Sequence, residues 1–181
     1  LTPPLHALGV GDTVRMDDKA RGYFTLEHVP DADVLWLVGT GTGIAPFASV
    51  IRDPITYDHY DEVILTHTCR EVAELKYGQD LVSHMQEDPL VGELVNGKLV
   101  HYTSVTREDY PFKGRITDLI QSGKLFDDLK VPPLNPETDR VMICGSMEMI
   151  NDTKQLCLDA GLKEGSNAAP ADFVIEKAFA G

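Results

Sequence analysis

Residues Leu35–Asp53 read LWLVGTGTGIAPFASVIRD, and the reading of this stretch decides the fold. Val34–Val38 (VLWLV) is a near-continuous apolar run, the pattern of a strand buried on both faces. Gly39, Thr40, Gly41, Thr42 and Gly43 follow directly. A helical pattern over about residues 44–52 comes next, with Pro46 in the first turn, where proline is tolerated. It stops before Asp53-Pro54, because a residue preceding proline is pushed out of the helical region. Glycines placed between a strand and a helix let a backbone close on a phosphate. The spacing is not the dinucleotide fingerprint G-x-G-x-x-G: the third glycine comes one residue early, at Gly43, and Ile44 stands in its place. No Lys-Ser/Thr follows, so it is not a P-loop either.

The same grammar repeats along the chain. EVILTHT (62–68) reads as a second strand, residues 73–87 as a helical stretch, and KLVHYTSV (98–105) as a third strand. ITDLIQSG (116–123) is helical, VPPLNPETD (131–139) a loop, and RVMIC (140–144) a fourth buried strand. SMEMINDTKQLCLDAG (146–161) reads as a helix whose end is marked by Gly161, and DFVIEKAF (172–179) as a fifth strand. Apolar strands alternating with helices predict an α/β fold with a doubly wound, five-stranded parallel sheet. Residues 29–181 form that domain. Before it, GDTVRMD (11–17) and GYFTLE (22–27) read as two short strands joined by a charged turn.

Bulk properties exclude several classes. The chain has 181 residues and a formal net charge of -13, which argues against nucleic acid as the main partner. No apolar run approaches the ~20 residues of a membrane span. Cys69, Cys144 and Cys157 are odd in number, far apart and without C-x-x-C, which fits a reduced, cytoplasmic setting. The histidines lack metal-ligand spacing, so no metal site is expected. Leu1-Thr2-Pro3-Pro4 has no initiator Met and reads like the middle of a longer chain.

Ligands of such sheets bind beyond the carboxyl ends of the strands, which directs attention to four places besides the glycine turn. After the second strand, an NAD site usually presents Asp or Glu to the ribose. Here the chain offers Thr68 and Arg70. Arg107 and Arg115 lie on the next loop, so three arginines on adjacent loops predict an anion site. A 2′-phosphate is the natural guest, because a guanidinium fork matches phosphate bidentately. The alternative is surface arginines paired with Glu108 or Asp118. After the fourth strand, Cys144-Gly145-Ser146 leads into a helix that Ser146 would cap. Cys144 is either inert packing or a compact group beside a ring. At the tail, Glu176 and Phe179 are either functional or, respectively, solvated and core-closing.

Taken together, GTGTGIAPF, LTHTCR, VTRE with GRITDLI, RVMICGSMEMI and FVIEKAF resemble the ferredoxin–NADP+ reductase family, most closely its bacterial flavodoxin/ferredoxin reductase branch. The resemblance implies FAD and NADP as cofactors and ferredoxin or flavodoxin as partner, with the full-length protein a monomer. It implies that Thr42 and the surrounding Gly39, Thr40, Gly41 and Gly43 cradle the NADP pyrophosphate. Arg70, Arg107 and Arg115 would surround the 2′-phosphate, with Thr68 beside them. Cys144, flanked by Gly145 and Met149, would sit by the nicotinamide. Glu176 would be the carboxylate near the reactive edge, with Ala178 and Phe179 near the flavin. The family's R-x-Y-S/T flavin motif is absent, while LTPPL, at Thr2, resembles the end of a second FAD-binding stretch. Residues 1–28 would then be the last part of an antiparallel FAD-binding barrel, its strands GDTVRM and GYFTLE included. Two other readings stay open: another reductase of the same fold, NADH-linked or a flavin-linked subunit, and a non-catalytic dinucleotide-binding module.

Overall fold

The structure is a computed structural model, and it describes residues 6–15, 18, 24–166 and 169–177. Thr2, Ala178 and Phe179 lie outside the described residues. Five strands form one parallel sheet: β1 (Val34–Thr40), β2 (Glu62–Cys69), β3 (Leu99–Val105), β4 (Asp139–Gly145) and β5 (Phe173–Lys177). Their spatial order is β3-β2-β1-β4-β5, the reversal falling beside β1. The crevice for a ligand therefore opens where β1, β2 and β4 end.

Side-chain alternation along β1 divides the core into two layers. Leu35 and Leu37 face one side, where Phe47 and Val50 of α1 (Ala45–Val50) and Tyr57 of α2 (Pro54–His59) cover them. The same layer holds Val63 and Leu65 of β2 and Cys144 of β4. α3 (Lys76–Ser83) closes it with Leu81 and Val82. Trp36 and Val38 face the other side, against α4 (Ile116–Gln121), α5 (Lys124–Leu129) and α6 (Met147–Asp159). There the Trp36 ring meets Phe126 edge-on at 5.7 Å, a favoured aromatic geometry.

The apolar runs gave the strands to within a residue or two, and several helices differ in detail. The helix expected over 44–52 is a 3₁₀ turn, Gly41–Ile44, followed by α1. The stretch 73–87 holds α3 between two 3₁₀ turns, Val72–Leu75 and Met85–Glu87. α2 was not anticipated. Asp53 caps it by accepting from the Ile55 amide at 3.0 Å, and Pro54 sits at its first position. α5 was not anticipated either; it starts from Gly123, whose φ of +80° admits glycine readily. α6 ends as expected at Gly161 (φ +90°), with the Leu162 amide donating to Cys157 and the Gly161 amide to Leu158, a Schellman arrangement.

The two N-terminal strands are not found among the described residues. Residues 11–15 form no strand, and Leu26–His28 is a 3₁₀ turn. Alternation alone does not make a strand; a neighbouring edge must supply the ladder. None of the described strands pairs with either segment.

Candidate functional site

At the carboxyl ends of β1, β2 and β4 lies a cavity of about 440 Å³. The turn after β1 contributes Thr40, Gly41 and Thr42, the end of β2 contributes Thr68, Cys69 and Arg70, and the start of α6 contributes Ser146 and Met149. Arg115, Ile116 and Thr117 close it from the start of α4, with Glu74 and Thr106 at its edge.

Each glycine of the turn has its own reason. Gly41 has φ +53°, and nothing lies within 4 Å of where its Cβ would stand, so it bends the chain and leaves open space toward the cavity. Gly43 is buried against β4: a Cβ there would overlap the Cys144 carbonyl. Gly39 packs on Phe47, 3.2 Å from a notional Cβ. Gly145 leaves room for Thr40 Oγ1 and the Met149 methyl, both of which a Cβ would overlap. Two of the three turn glycines thus serve packing, and Gly41 serves the cavity.

α6 begins at the cavity, and Ser146 Oγ accepts from the Met149 amide at 3.4 Å. The first turn of a helix has amides without intrahelical partners and carries partial positive charge, which suits an anion. Thr68 Oγ1 is hydrogen-bonded to Ser104 Oγ at 2.7 Å, which ties the ends of β2 and β3 together.

The arginines divide. Arg70 and Arg115 line the cavity, whereas Arg107 stands on the adjacent loop, its amide donating to the Arg70 carbonyl at 3.0 Å. Arg115 pairs with Glu148 of α6 at 2.8 Å, both side chains well exposed, so neither Glu108 nor Asp118 is its ion-pair partner. Glu108 instead accepts from the Val72 amide and pins the β3 loop to the turn after β2. Glu74 accepts from the Arg70 and Glu71 amides at 2.8 and 3.1 Å, and those bonds hold its carboxyl below its usual range, with Arg70 and Arg107 assisting.

Cys144 does not line this cavity. Its side chain is buried in the layer with Phe47, and burial pushes its thiol up to about 11, with the Glu176 charge adding to the effect. Glu176 is its register partner on β5. Sequence reasoning passed over Glu74, Cys69 and His67. The register of β2 could have found Cys69 at the strand end, and the E-x-x-E spacing of Glu71 and Glu74 could have found the cap. Among the described residues, no group of three or more His, Cys, Asp or Glu is placed to hold a metal ion, and no helix is long and apolar enough to cross a membrane.

Residues 37–155 match the oxidoreductase NAD-binding domain family. The flavodoxin/ferredoxin–NADP reductase of Rhodobacter capsulatus is 49% identical over 181 residues, which is 100% of this chain and 67% of that protein. The chain belongs to the flavodoxin/ferredoxin–NADP reductase family. A ferredoxin–NADP reductase of Azotobacter vinelandii is 41% identical over 99% of this chain and 70% of its own length. The crystal structure of a ferredoxin NADP+ reductase from Neisseria gonorrhoeae with bound FAD and NADP superposes with a TM-score of 0.83 at 29% identity, covering 98% of this chain and 69% of that one. The chain spans about two thirds of the length of these reductases. Membership in this family agrees with the five-stranded parallel sheet and its order.

Proposed function

We propose that residues 29–181 are the NADP(H)-binding domain of a ferredoxin/flavodoxin–NADP+ reductase, and that residues 1–28 belong to its FAD-binding part. The observation that carries this reading is the cavity itself: an open left-handed glycine, a capped helix start and two arginines around about 440 Å³ of space. These residues fit a dinucleotide phosphate. Gly41 and Thr42 with the first turn of α6 would hold the pyrophosphate, and Arg70 and Arg115, with Arg107 behind, the 2′-phosphate. The acidic residues just after β2, Glu71 and Glu74, are both committed to backbone amides, which leaves neither for a free ribose hydroxyl.

FAD, when bound, would supply the chemistry that links a two-electron hydride donor, NADPH, to a one-electron carrier, ferredoxin or flavodoxin. The chain's own part is orientation and exclusion of water. Cys144 and Glu176, side by side on β4 and β5, would set the wall near the reacting edge. A thiol held protonated offers bulk and a weak donor there rather than a nucleophile. The three buried cysteines, none in a disulfide among the described residues, suit the reducing cytoplasm.

Calorimetric titration of the chain with NADP+ and NAD+ tests the reading. NADP+ is expected to bind more tightly by a factor of very roughly 10²–10⁴ if two charge-assisted bonds reach the extra phosphate. Equal affinities would count against it.

A further inference from the structure

Beneath the glycine turn lies a buried imidazole with an unusual set of partners. His67 of β2 is 1% exposed, on the face covered by α1 and α3. Its Nε2 lies 2.9 Å from the Gly41 carbonyl. A carbonyl only accepts, so Nε2 carries the ring proton and donates it. The other nitrogen, Nδ1, has no hydrogen-bond partner. Gly78 of α3 lies over that side of the ring; a Cβ there would come within 2.8 Å of Nδ1. Cys69 Sγ approaches the same Nε2 at 3.2 Å, and the His101 ring stacks beside it at 6.5 Å.

A leucine could fill this space without an unpaired nitrogen. What the imidazole adds is the bond to Gly41. The β1–β2 ladder ends at the pair Thr40 and Thr68, so beyond Thr40 the sheet no longer holds the chain. Gly41 is the next residue, left-handed and open to the cavity. The His67 bond, joined by a weaker one from the Cys69 thiol to the same carbonyl, is the tether that takes over where the ladder stops.

We propose that His67 is a positioning residue for the nucleotide phosphates: it fixes the Gly41 peptide, and through it the turn that faces the cavity, without reaching the ligand. This rests on the assignment of that cavity to NADP(H). It separates two parts of the nucleotide. The pyrophosphate depends on the turn, whereas the 2′-phosphate depends on the arginine loops, which His67 does not tether.

The test is calorimetric titration of the chain with NADP+ and with 2′-AMP, which has the 2′-phosphate and no pyrophosphate. His67→Leu should weaken NADP+ binding roughly tenfold, the effect of one lost buried hydrogen bond, and leave 2′-AMP within about twofold. His67→Gln, whose amide N–H can donate to the same carbonyl, should recover most of the loss. Gly78→Ala keeps the imidazole, but its Cβ would overlap Nδ1 and the end of the Ile44 side chain, so the ring must shift and NADP+ should weaken selectively as well. If His67→Leu does not fold, His67→Gln and Gly78→Ala decide the matter: both keep a polar donor beside Gly41, and the first should bind NADP+ more tightly than the second. Unchanged NADP+ affinity in the folded variants overturns the proposal. So does a loss of equal size for both ligands, which is the mark of a general structural role, or no recovery with glutamine. If the unaltered chain binds neither ligand, the assignment of the cavity itself fails, and the proposal with it.

Discussion

The Gly43 backbone lies so close to the carbonyl of Cys144 that no side chain fits between them. Residues a hundred positions apart thus share one contact, and it seats the β1 turn against β4. Gly43→Ala is expected to push the turn off β4 at a cost of about 1–3 kcal/mol, as overpacking does, and toward the upper end because the obstacle is backbone. Gly41→Ala meets no atom and should cost only about 1–2 kcal/mol, from its left-handed φ. Urea denaturation of the two variants checks the order. Gly41→Ala proving the more destabilising would refute this account of the turn.

The arginine loops make a separable prediction. Arg115 is held by Glu148, an exposed pair worth about 0–1 kcal/mol, so a phosphate can displace the carboxylate at little cost. Replacing Arg70 and Arg115, the two that line the cavity, together by Ala should erase most of the preference for NADP+ over NAD+ while NADH affinity changes little. Glu148→Gln frees Arg115 and should tighten NADP+ by up to about threefold, a few tenths of a kcal/mol. Titrations at two salt concentrations check both, the preference shrinking as salt rises.

Much of this was legible in the sequence, for identifiable reasons. Strands buried on both faces leave apolar runs, so VLWLV and RVMIC announced β1 and β4. The cap Ser146 and the stop Gly161 bounded α6 by local chemistry alone. Asp53-Pro54 reads as a helix stop, which hides α2, although proline is also favoured at a first helical position and Asp53 is a good cap. Of the two N-terminal segments only residues 11–15 and 24–27 are described, and those are not strand because no described strand pairs with them. The role of Gly43 and the His67–Gly41 bond were hidden for a common reason: each is set by a residue distant in the chain, and no local pattern encodes it. The arginines could be gathered by the strand-end rule, but their division into two that line the cavity and one behind it needed coordinates.

The cysteines should be inert in the folded chain. Burial pushes the Cys69 and Cys144 thiols up to about 11 and Cys157 to about 12. At pH 8 only a very small fraction of each is then thiolate, and the thiolate is the reactive form. An aromatic disulfide reagent should find no fast-reacting thiol natively and three in denaturant. Rapid reaction at Cys144 would contradict its buried position. In a full-length reductase, Cys144→Ala should slow flavin reduction in stopped flow and leave 2′-phosphate affinity alone; an unchanged rate assigns Cys144 to packing.

The paired imidazoles make stability depend on pH in a defined direction. His101 has an unpartnered, buried Nε2, and burial with the neighbouring His67 lowers its pKa from 6.5 to about 4. Burial also lowers that of His67, partly offset by its bond to Gly41. The His101 ring is therefore neutral in the folded chain between pH 6.5 and about 4, where an unfolded chain would bind a proton, and His67 acts in the same direction. In that window the unfolded state is favoured by each added proton. The His101 contribution should be level above about pH 7, fall as the pH drops through 6.5 and flatten below about 4. For His101 the total is on the order of 3 kcal/mol. Glu74, Asp88 and Asp128 have lowered values and act only below the carboxylate range, while Asp139 is raised by burial and works in the opposite direction. These contributions cancel when two variants are compared. His101→Leu removes one titrating ring, so its loss of melting temperature between pH 7 and 4.5 should be clearly smaller than that of the unaltered chain. Parallel melting curves for the two across that range would show that His101 is already protonated in the folded state.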